Sequence, residues 1–230
     1  MLGIKDDLKL SINAIKVLER RYLRRDEGKV IETPSGLFRR VAKAIAQADL
    51  LYGDEEDAKK SEKEFYEIMS SLEFLPNSPT LMNAGLQNSQ LAACFVLPIE
   101  DSMKSIFETL KQAALIHMTG GGTGFSFSKI RPRGDLVHSS GGMASGPMSF
   151  IRVYNAATEA TKEGGRRRGA NMGILSVDHP DIIEFIISKE KDADMANFNL
   201  SVALTDEFMK KVEAEEEYDL INPRTGEVAN

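Results

Sequence analysis

Residues 170–204, ANMGILSVDHPDIIEFIISKEKDADMANFNLSVAL, decide the fold class. The apolar runs at 170–177 and 197–204 have the length and composition of buried strands. Between them, residues 179–189 carry apolar side chains at helical spacing after a proline, a residue that is tolerated in the first helical turn. A strand, a helix and a second strand in this order predict a βαβ unit, and therefore a largely parallel sheet or barrel.

The same alternation extends on both sides of this stretch. The pattern predicts strands at 91–98 and 124–130, helices at 101–118, 145–165 and 206–217, and a turn at 222–226. Asp101 or Ser102 is expected to cap the first of these helices. Residues 218–230 have the pattern of a hairpin whose second arm has just begun, so we expect the chain to stop in mid-domain.

The beginning of the chain has a different pattern. Three stretches, 6–25, 33–53 and 55–72, carry apolar residues three or four positions apart, which is typical of amphipathic helices. We therefore expect a helical N-terminal domain at 1–75 and the first part of an α/β domain at 76–230.

Composition excludes several classes of protein. The chain has 230 residues, 42% of them hydrophobic, and a net charge of −6. An acidic balance argues against a nucleic-acid-binding surface, and no apolar run approaches the ~18 residues of a membrane span. The N-terminus lacks the apolar region of a signal peptide. A single cysteine excludes an internal disulfide framework, so a cytoplasmic location is expected.

That cysteine, Cys94, lies in a predicted strand. Taken alone, a cysteine in such a position is more often a small buried hydrophobic residue than a reactive thiol. The alternative is that Cys94 is half of a redox pair whose other half is absent from the chain.

Two glycine-rich stretches are candidate binding loops. TGGGTGFS (119–126) is neither a Walker loop nor a dinucleotide fingerprint; it predicts either a backbone that approaches another group closely or a helix end joined to a tight turn. EGGRRRGANMG (163–173) contains Arg166, Arg167 and Arg168. These arginines predict either a phosphate-binding loop or a solvated basic turn.

The remaining polar motifs are weaker signals. LPNSPTLMNAG (75–85) has the composition of a turn, although Ser78 could present its hydroxyl to a phosphate. His117, His138 and His179 show no metal-ligand spacing, so no metal site is predicted. His179, before a proline, is expected at a helix start.

Taken in order, six segments resemble the large catalytic subunit of ribonucleotide reductase, and most closely its class II, adenosylcobalamin-dependent form. They are FLPNSPTLMNAG, LAACFVLPIEDSM, GGGTGFSFSKIRPRG, GGMASGPMSFIRVYNAATEATKEGGRRRGANMGIL, HPDIIEFIISK and NFNLSVAL. The resemblance implies a helical domain followed by a ten-stranded α/β barrel, of which only the first strands and helices are present.

The resemblance also implies a reaction, the replacement of a ribonucleotide's 2′-hydroxyl by hydrogen. In that family a thiyl radical abstracts the 3′-hydrogen and a pair of thiols supplies two electrons. Cys94 matches one thiol of the pair, and Ser78, Ala93, Cys94 and Gly122 match substrate contacts. The radical cysteine and the second reducing cysteine are absent, so the isolated chain is expected to be inactive. A truncated product, a split gene and an intein-interrupted gene all fit this absence.

Five residues match the family's allosteric specificity site for deoxynucleoside triphosphates: Asp101, Arg131, Arg166, Arg167 and Arg168. Arg131 matches its phosphate-binding region, and the three consecutive arginines match the mobile loop that carries the effector's identity to the active site.

The implied cofactor is adenosylcobalamin, for which no binding residue can be identified. The implied substrate is a ribonucleotide, either a diphosphate or a triphosphate, and the implied reductant is a thioredoxin-like protein. The implied protein partners are the missing C-terminal half, if it is encoded separately, and a second copy of the chain. The second copy is expected to dock through helices near 102–118 and 147–162. Two alternatives stay open: a class I large subunit, which needs a separate radical-generating protein, and a catalytically inert nucleotide-binding remnant.

Overall fold

The structure, a computed structural model, describes residues 8–87, 90–137, 141–161, 169–191 and 195–229. It divides into two compact units, Met1–Ala93 and Cys94–Asn230, which we call the helical unit and the sheet unit. The predicted order of a helical N-terminal part followed by a parallel α/β part is confirmed.

The helical unit is built from short elements with one apolar core. Its elements are α1 (Ile12–Arg21), β1 (Arg25–Asp26), β2 (Lys29–Val30), α2 (Pro34–Ala46), a 3-10 turn (Gln47–Leu51), α3 (Glu55–Ser70) and α4 (Ser78–Asn83). The core consists mainly of the inward stripe of α2 with Leu23, Met69 and Leu81.

Each of the three predicted helices begins where a side chain accepts hydrogen bonds from amides of the first turn. Ser11 caps α1, and Thr33 caps α2 immediately before Pro34. Asp54 caps α3 in a reciprocal capping box with Asp57. Such caps satisfy amides that a helix leaves unpaired at its start, so these boundaries follow from local sequence.

Within residues 75–85, which were predicted as a turn, Ser78–Asn83 form the short helix α4 instead. Asn77 caps it by accepting a hydrogen bond from the Thr80 amide at 2.9 Å. The Thr80 hydroxyl donates to the Leu91 carbonyl at 3.1 Å, and Leu81 is buried in the core of the helical unit. A helix of six residues is too short to display helical periodicity in the sequence.

The sheet unit alternates strands and helices. Its elements are β3 (Cys94–Val96), α5 (Met103–Met118), β4 (Gly122–Ser126), β5 (Leu136–Val137), β6 (Gly142–Met143), α6 (Pro147–Thr161), β7 (Asn171–Ser176), α7 (Ile182–Lys191), β8 (Phe198–Ala203) and α8 (Asp206–Ala214). Strands β3, β4, β7 and β8 form a parallel sheet in that order, and β5 and β6 form a separate antiparallel hairpin.

The two faces of the parallel sheet differ in burial. One face packs against helices around an aromatic cluster in which the Tyr154 ring meets Phe125 edge-on, with a centroid separation of 4.9 Å. Phe127 and Phe198 complete this buried cluster. The opposite face, which we call the open face, carries exposed or half-buried residues at every second position.

The last described residues form the predicted hairpin, in which Ile221 and Val228 make an antiparallel bridge. His179 lies just before α7, as expected: its Nδ1 accepts from the Asp181 amide at 3.0 Å, and its Nε2 is bonded to the Ile130 carbonyl at 2.8 Å. Among the described helices, none combines the length and the apolar character that crossing a membrane requires.

Candidate functional site

Cys94 lies on the open face, at the start of β3. It is exposed, so the interpretation as a small buried hydrophobic residue is wrong. The ladder places Cys94 opposite Gly122 and Val96 opposite Gly124. Two glycines of the neighbouring strand β4 therefore lie beside Cys94 and Val96, and they leave this part of the strand without side chains.

Gly124 is not required by the fold itself. Its backbone is not left-handed, and an added Cβ would make only ordinary contacts, 3.7 Å from the Met172 Cβ. On the buried face, by contrast, a Cβ at Gly173 would lie 3.2 Å from Leu200 and 3.3 Å from Phe198. Gly173 is thus explained by packing, whereas Gly124 keeps a surface clear, as a strand glycine does where another molecule approaches.

A buried polar network lies behind this glycine strand. Thr123 Oγ1 donates to Asn171 Oδ1 at 2.7 Å, and Asn171 Nδ2 donates to Thr158 Oγ1 at 2.8 Å. Thr158 Oγ1 in turn donates to the Tyr154 carbonyl at 2.8 Å. Because the single Thr123 proton is already used, the donor in the 2.9 Å contact with His117 is the imidazole Nε2.

His117 is held neutral in this network. Burial lowers its pKa below the ordinary 6.5, and a hydrogen bond with Asn171 acts more weakly in the opposite direction. The network joins α5, α6, β4 and β7 by side chains alone. Sequence reasoning missed it because its members show no metal-ligand or catalytic spacing.

Asp101 and Arg131, both predicted at the effector site, are bonded to each other. Arg131 Nε donates to Asp101 Oδ2 at 2.8 Å, and its amide donates to Asp101 Oδ1 at 3.2 Å. Both side chains are 22% exposed. Asp101 is not the cap of α5; Ser102 is, by accepting from the Ser105 amide at 3.2 Å.

A cavity of about 480 Å³ opens beside this ion pair. Asp101 and Arg131 line its polar side, while Ile106, Val137 and Met143 contribute apolar walls. This volume lies in the range of small-molecule sites. One cation, one carboxylate and an apolar wall are groups that can hold a phosphorylated molecule with an apolar ring.

The other predicted site residues have different positions. Ala93 is half-buried and directly precedes Cys94. Ser78 opens α4 in the helical unit, and its hydroxyl is 2.9 Å from the Tyr22 hydroxyl. Arg166, Arg167 and Arg168 lie outside the described residues, as does His138.

Comparison with known proteins identifies the family to which this chain belongs. The chain matches two family profiles, "Ribonucleotide reductase, all-alpha domain" over residues 8–89 and "Ribonucleotide reductase, barrel domain" over residues 92–230. Because the second match alone covers more than half of the chain, the protein belongs to the ribonucleotide reductase large-subunit family.

Individual relatives agree with this assignment. The chain is 46% identical to a vitamin B12-dependent ribonucleoside-diphosphate reductase of Thermoplasma acidophilum, over 99% of this chain and 37% of the relative. It is 50% identical to a protein of the same name from Mycobacterium tuberculosis, over 99% of this chain and 33% of the relative. The ribonucleoside-diphosphate reductase large subunit of Vaccinia virus is 34% identical, over 94% of this chain and 28% of the relative. The chain spans about a third of the length of these relatives.

Proposed function

We propose that this chain supplies the helical domain and the first barrel strands of a ribonucleotide reductase, with Cys94 as one of its two reducing thiols. The observation that carries the proposal is the exposed Cys94 thiol beside Gly122 and Gly124 on the open face. Membership of the family, in which the reaction is the reduction of ribonucleotides, gives this thiol its chemical context.

In the proposed reaction, the 2′-hydroxyl of a ribonucleotide leaves as water and hydrogen takes its place. Two thiols supply two electrons and two protons and become a disulfide, which external thiols can reduce by exchange. Cys94 is the only cysteine in the 230 residues. The second thiol and the radical-bearing cysteine therefore come from residues beyond this sequence, and the chain alone is expected to reduce no ribonucleotide.

The proposed substrate is a ribonucleoside diphosphate, as in the names of several relatives. We propose that it lies on the open face against Cys94 and Gly122. Ala93 and Ser78 are proposed as further substrate contacts on the basis of the family match alone. Small residues at these positions favour close approach of the sugar to the strand. The proposed reductant of the resulting disulfide is a thioredoxin-like dithiol.

The proposed radical source is adenosylcobalamin, supported by the names of two relatives. When bound, this cofactor would supply the initial radical. The described residues of the open face include the Cys94 thiol, the glycines of β4 and the apolar side chains of Val96, Met172 and Ile174, and none of these groups identifies a corrin site. The cofactor is therefore proposed from the relatives alone, and no step on this chain is derived through it.

We further propose that the cavity beside Asp101 and Arg131 binds a deoxynucleoside triphosphate effector. Arg131 uses Nε and Nη1 for bonds to Asp101 and the Leu136 carbonyl. Among the described residues, Nη2 donates to none, so this nitrogen can donate to a phosphate oxygen. Asp101 can accept from a sugar hydroxyl. Arg166, Arg167 and Arg168 remain proposed contributors to effector recognition.

A homodimer through α5 and α6 is proposed as the assembled form. It is supported by large apolar side chains exposed on these helices: Met103, Phe107, Leu115 and Met118 on α5, and Val153 on α6. The segments that complete the barrel, on the same or a separate chain, are the other required partner. The proposed location is the cytoplasm.

Two alternatives keep specific support. A class I large subunit, with a separate radical-generating protein, agrees with the viral relative, whose name mentions no vitamin. A nucleotide-binding remnant without chemistry agrees with the single cysteine. Dependence of activity on added adenosylcobalamin would exclude the first alternative, and any reconstituted reduction would exclude the second.

Reconstitution tests the proposal. The chain would be co-expressed with the remaining two thirds of the Mycobacterium tuberculosis relative, and deoxycytidine diphosphate formation measured with adenosylcobalamin and dithiothreitol. We expect multiple turnovers from the mixture, none from either part alone, and none with Cys94→Ser. Glu216→Gln, at an exposed ion pair, is the control that should retain activity. Full activity of the Cys94→Ser mixture would refute the proposal.

A further inference from the structure

A forked ion pair joins two distant segments of the sheet unit. Arg224 Nε donates to Asp135 Oδ2 and Arg224 Nη2 donates to Asp135 Oδ1, each at 2.7 Å. The Asp135 side chain is 10% exposed and that of Arg224 is 28% exposed. Two parallel bonds from a planar guanidinium fix orientation as well as distance. The hydrogen bond from Arg224 is the main reason why the pKa of Asp135 is held far below its ordinary range.

Arg224 is itself held by a closed hairpin at residues 220–229. The Ile221 amide donates to the Asp178 carbonyl at 2.6 Å and the Gly226 amide donates to the Asn222 carbonyl at 2.8 Å. The Arg224 amide donates to the Asn222 side chain at 2.9 Å. The guanidinium therefore projects from an anchored turn.

Asp135 lies at the base of the β5–β6 hairpin. The Gly134 amide donates to the Ala144 carbonyl at 2.9 Å, and the Ala144 amide donates to the Asp135 carbonyl at 2.8 Å. Beyond this base, Val137 and Met143 form one wall of the 480 Å³ cavity. The Leu136 carbonyl, in the same hairpin, accepts from Arg131 Nη1 at 3.2 Å. A residue that holds Asp135 in place therefore also fixes the position of this cavity wall and the orientation of the Arg131 guanidinium.

We propose that Arg224 is a positioning residue for nucleotide binding in this cavity: through Asp135 it holds the β5–β6 hairpin in the geometry that receives the ligand. The inference rests on the proposed effector site. It adds to that site a residue that affects nucleotide binding from a segment that does not line the cavity. The pKa of Arg224 is raised, first by its bond to Asp135 and more weakly by charges that include Asp101. The guanidinium thus also lies within the field of the cavity's carboxylate.

A purely structural role is the competing explanation, and it predicts a different pattern. A forked arginine–carboxylate pair is the kind of ion pair that can stabilise a fold, so a purely structural pair would lower thermal stability and leave the nucleotide affinity of the folded chain unchanged. A positioning pair would weaken affinity while the fold persists. It would also make the two substitutions non-additive, since each removes the same interaction.

The test is titration calorimetry of the full chain with dTTP and dATP, with circular dichroism to verify folding. We expect Arg224→Gln and Asp135→Asn each to weaken binding roughly fivefold or more, the lower end of typical coupling between sites. The double variant should be no weaker than either single variant, and Arg224→Lys should recover part of the loss. Lys211→Gln, which removes another ion pair of the same unit, should bind as the unsubstituted chain does.

Hydrogen exchange at the Gly134 and Ala144 amides gives a second readout that needs no ligand. Both amides should exchange faster in Arg224→Gln than in Lys211→Gln. Nucleotide binding with unchanged dissociation constants in Arg224→Gln and Asp135→Asn would overturn this inference alone. Absence of binding by the unsubstituted chain would overturn the effector site and this inference together.

Discussion

Cys94 lies directly opposite Gly122 in the parallel ladder between β3 and β4, with its thiol exposed on the face that the helices leave open. The next pair in the same row, Val96 and Gly124, repeats the arrangement of a side chain beside a glycine. Because β4 carries glycines beside β3, a molecule that lies on β4 can reach the Cys94 thiol. This geometry is the basis of the functional proposal.

The two strand glycines should respond differently to substitution. Gly173→Ala should destabilise the fold by about 1–3 kcal/mol, since its Cβ would meet Leu200 and Phe198 in a packed core. Gly124→Ala should leave stability nearly unchanged, because its Cβ meets only ordinary contacts. Urea unfolding of both variants measures the difference.

In the reconstituted enzyme, Gly124→Ala should instead reduce activity by obstructing the open face. Equal destabilisation by both substitutions, or full activity of Gly124→Ala, would contradict the interpretation that Gly124 keeps the open face free of side chains.

The buried His117 predicts a pH dependence of stability. Its pKa in the folded chain lies below the ordinary 6.5, so below about pH 6.5 the unfolded state binds more protons than the folded state. The contribution of His117 to the free energy of unfolding should therefore be fully present above that pH. It should decrease as the pH falls below that value.

His117→Gln keeps an N–H donor for Thr123 and removes the titrating group. The loss of stability between pH 7.5 and pH 5.5, measured by urea unfolding, should be smaller in this variant than in the unsubstituted chain. Carboxylates contribute to both chains alike, so the difference isolates His117. Identical pH profiles would show that His117 does not titrate between these states.

Arg131 predicts the strength of effector binding. Removing an arginine–phosphate contact costs on the order of 1.5–3 kcal/mol, roughly a ten- to hundredfold loss of affinity. Arg131→Ala should therefore weaken dTTP and dATP binding by this factor in titration calorimetry. Lys129→Ala, whose exposed ammonium pairs with Glu100 at 2.7 Å, is the matched control. Equal affinities in the two variants would place the phosphate away from Arg131.

Local sequence patterns predicted most of the fold. They did not predict the contacts between residues that are distant in the sequence. Helices α2 and α3 followed from periodicity and caps within a few residues of their starts. The β5–β6 hairpin was missed because its strands are two residues long.

The candidate sites show the same division. Asp101 and Arg131 were matched to one site by resemblance, yet their direct bond spans 30 positions and left no local signal. The Asp135–Arg224 pair spans 89 positions. The exposure of Cys94 depends on which face of β3 packs against the helices, and a strand of three residues does not reveal that face.

The central claim, that Cys94 is half of a redox pair, is tested most directly by its oxidation state after turnover. The reconstituted enzyme would be reduced, freed of dithiol and given cytidine diphosphate with adenosylcobalamin. Free thiols would then be alkylated and the Cys94 peptide measured by mass spectrometry. The account predicts that Cys94 escapes alkylation and appears in a disulfide with a cysteine of the complementary part, in proportion to the deoxycytidine diphosphate formed. Deoxycytidine diphosphate formed while Cys94 remains a fully alkylated thiol would contradict it.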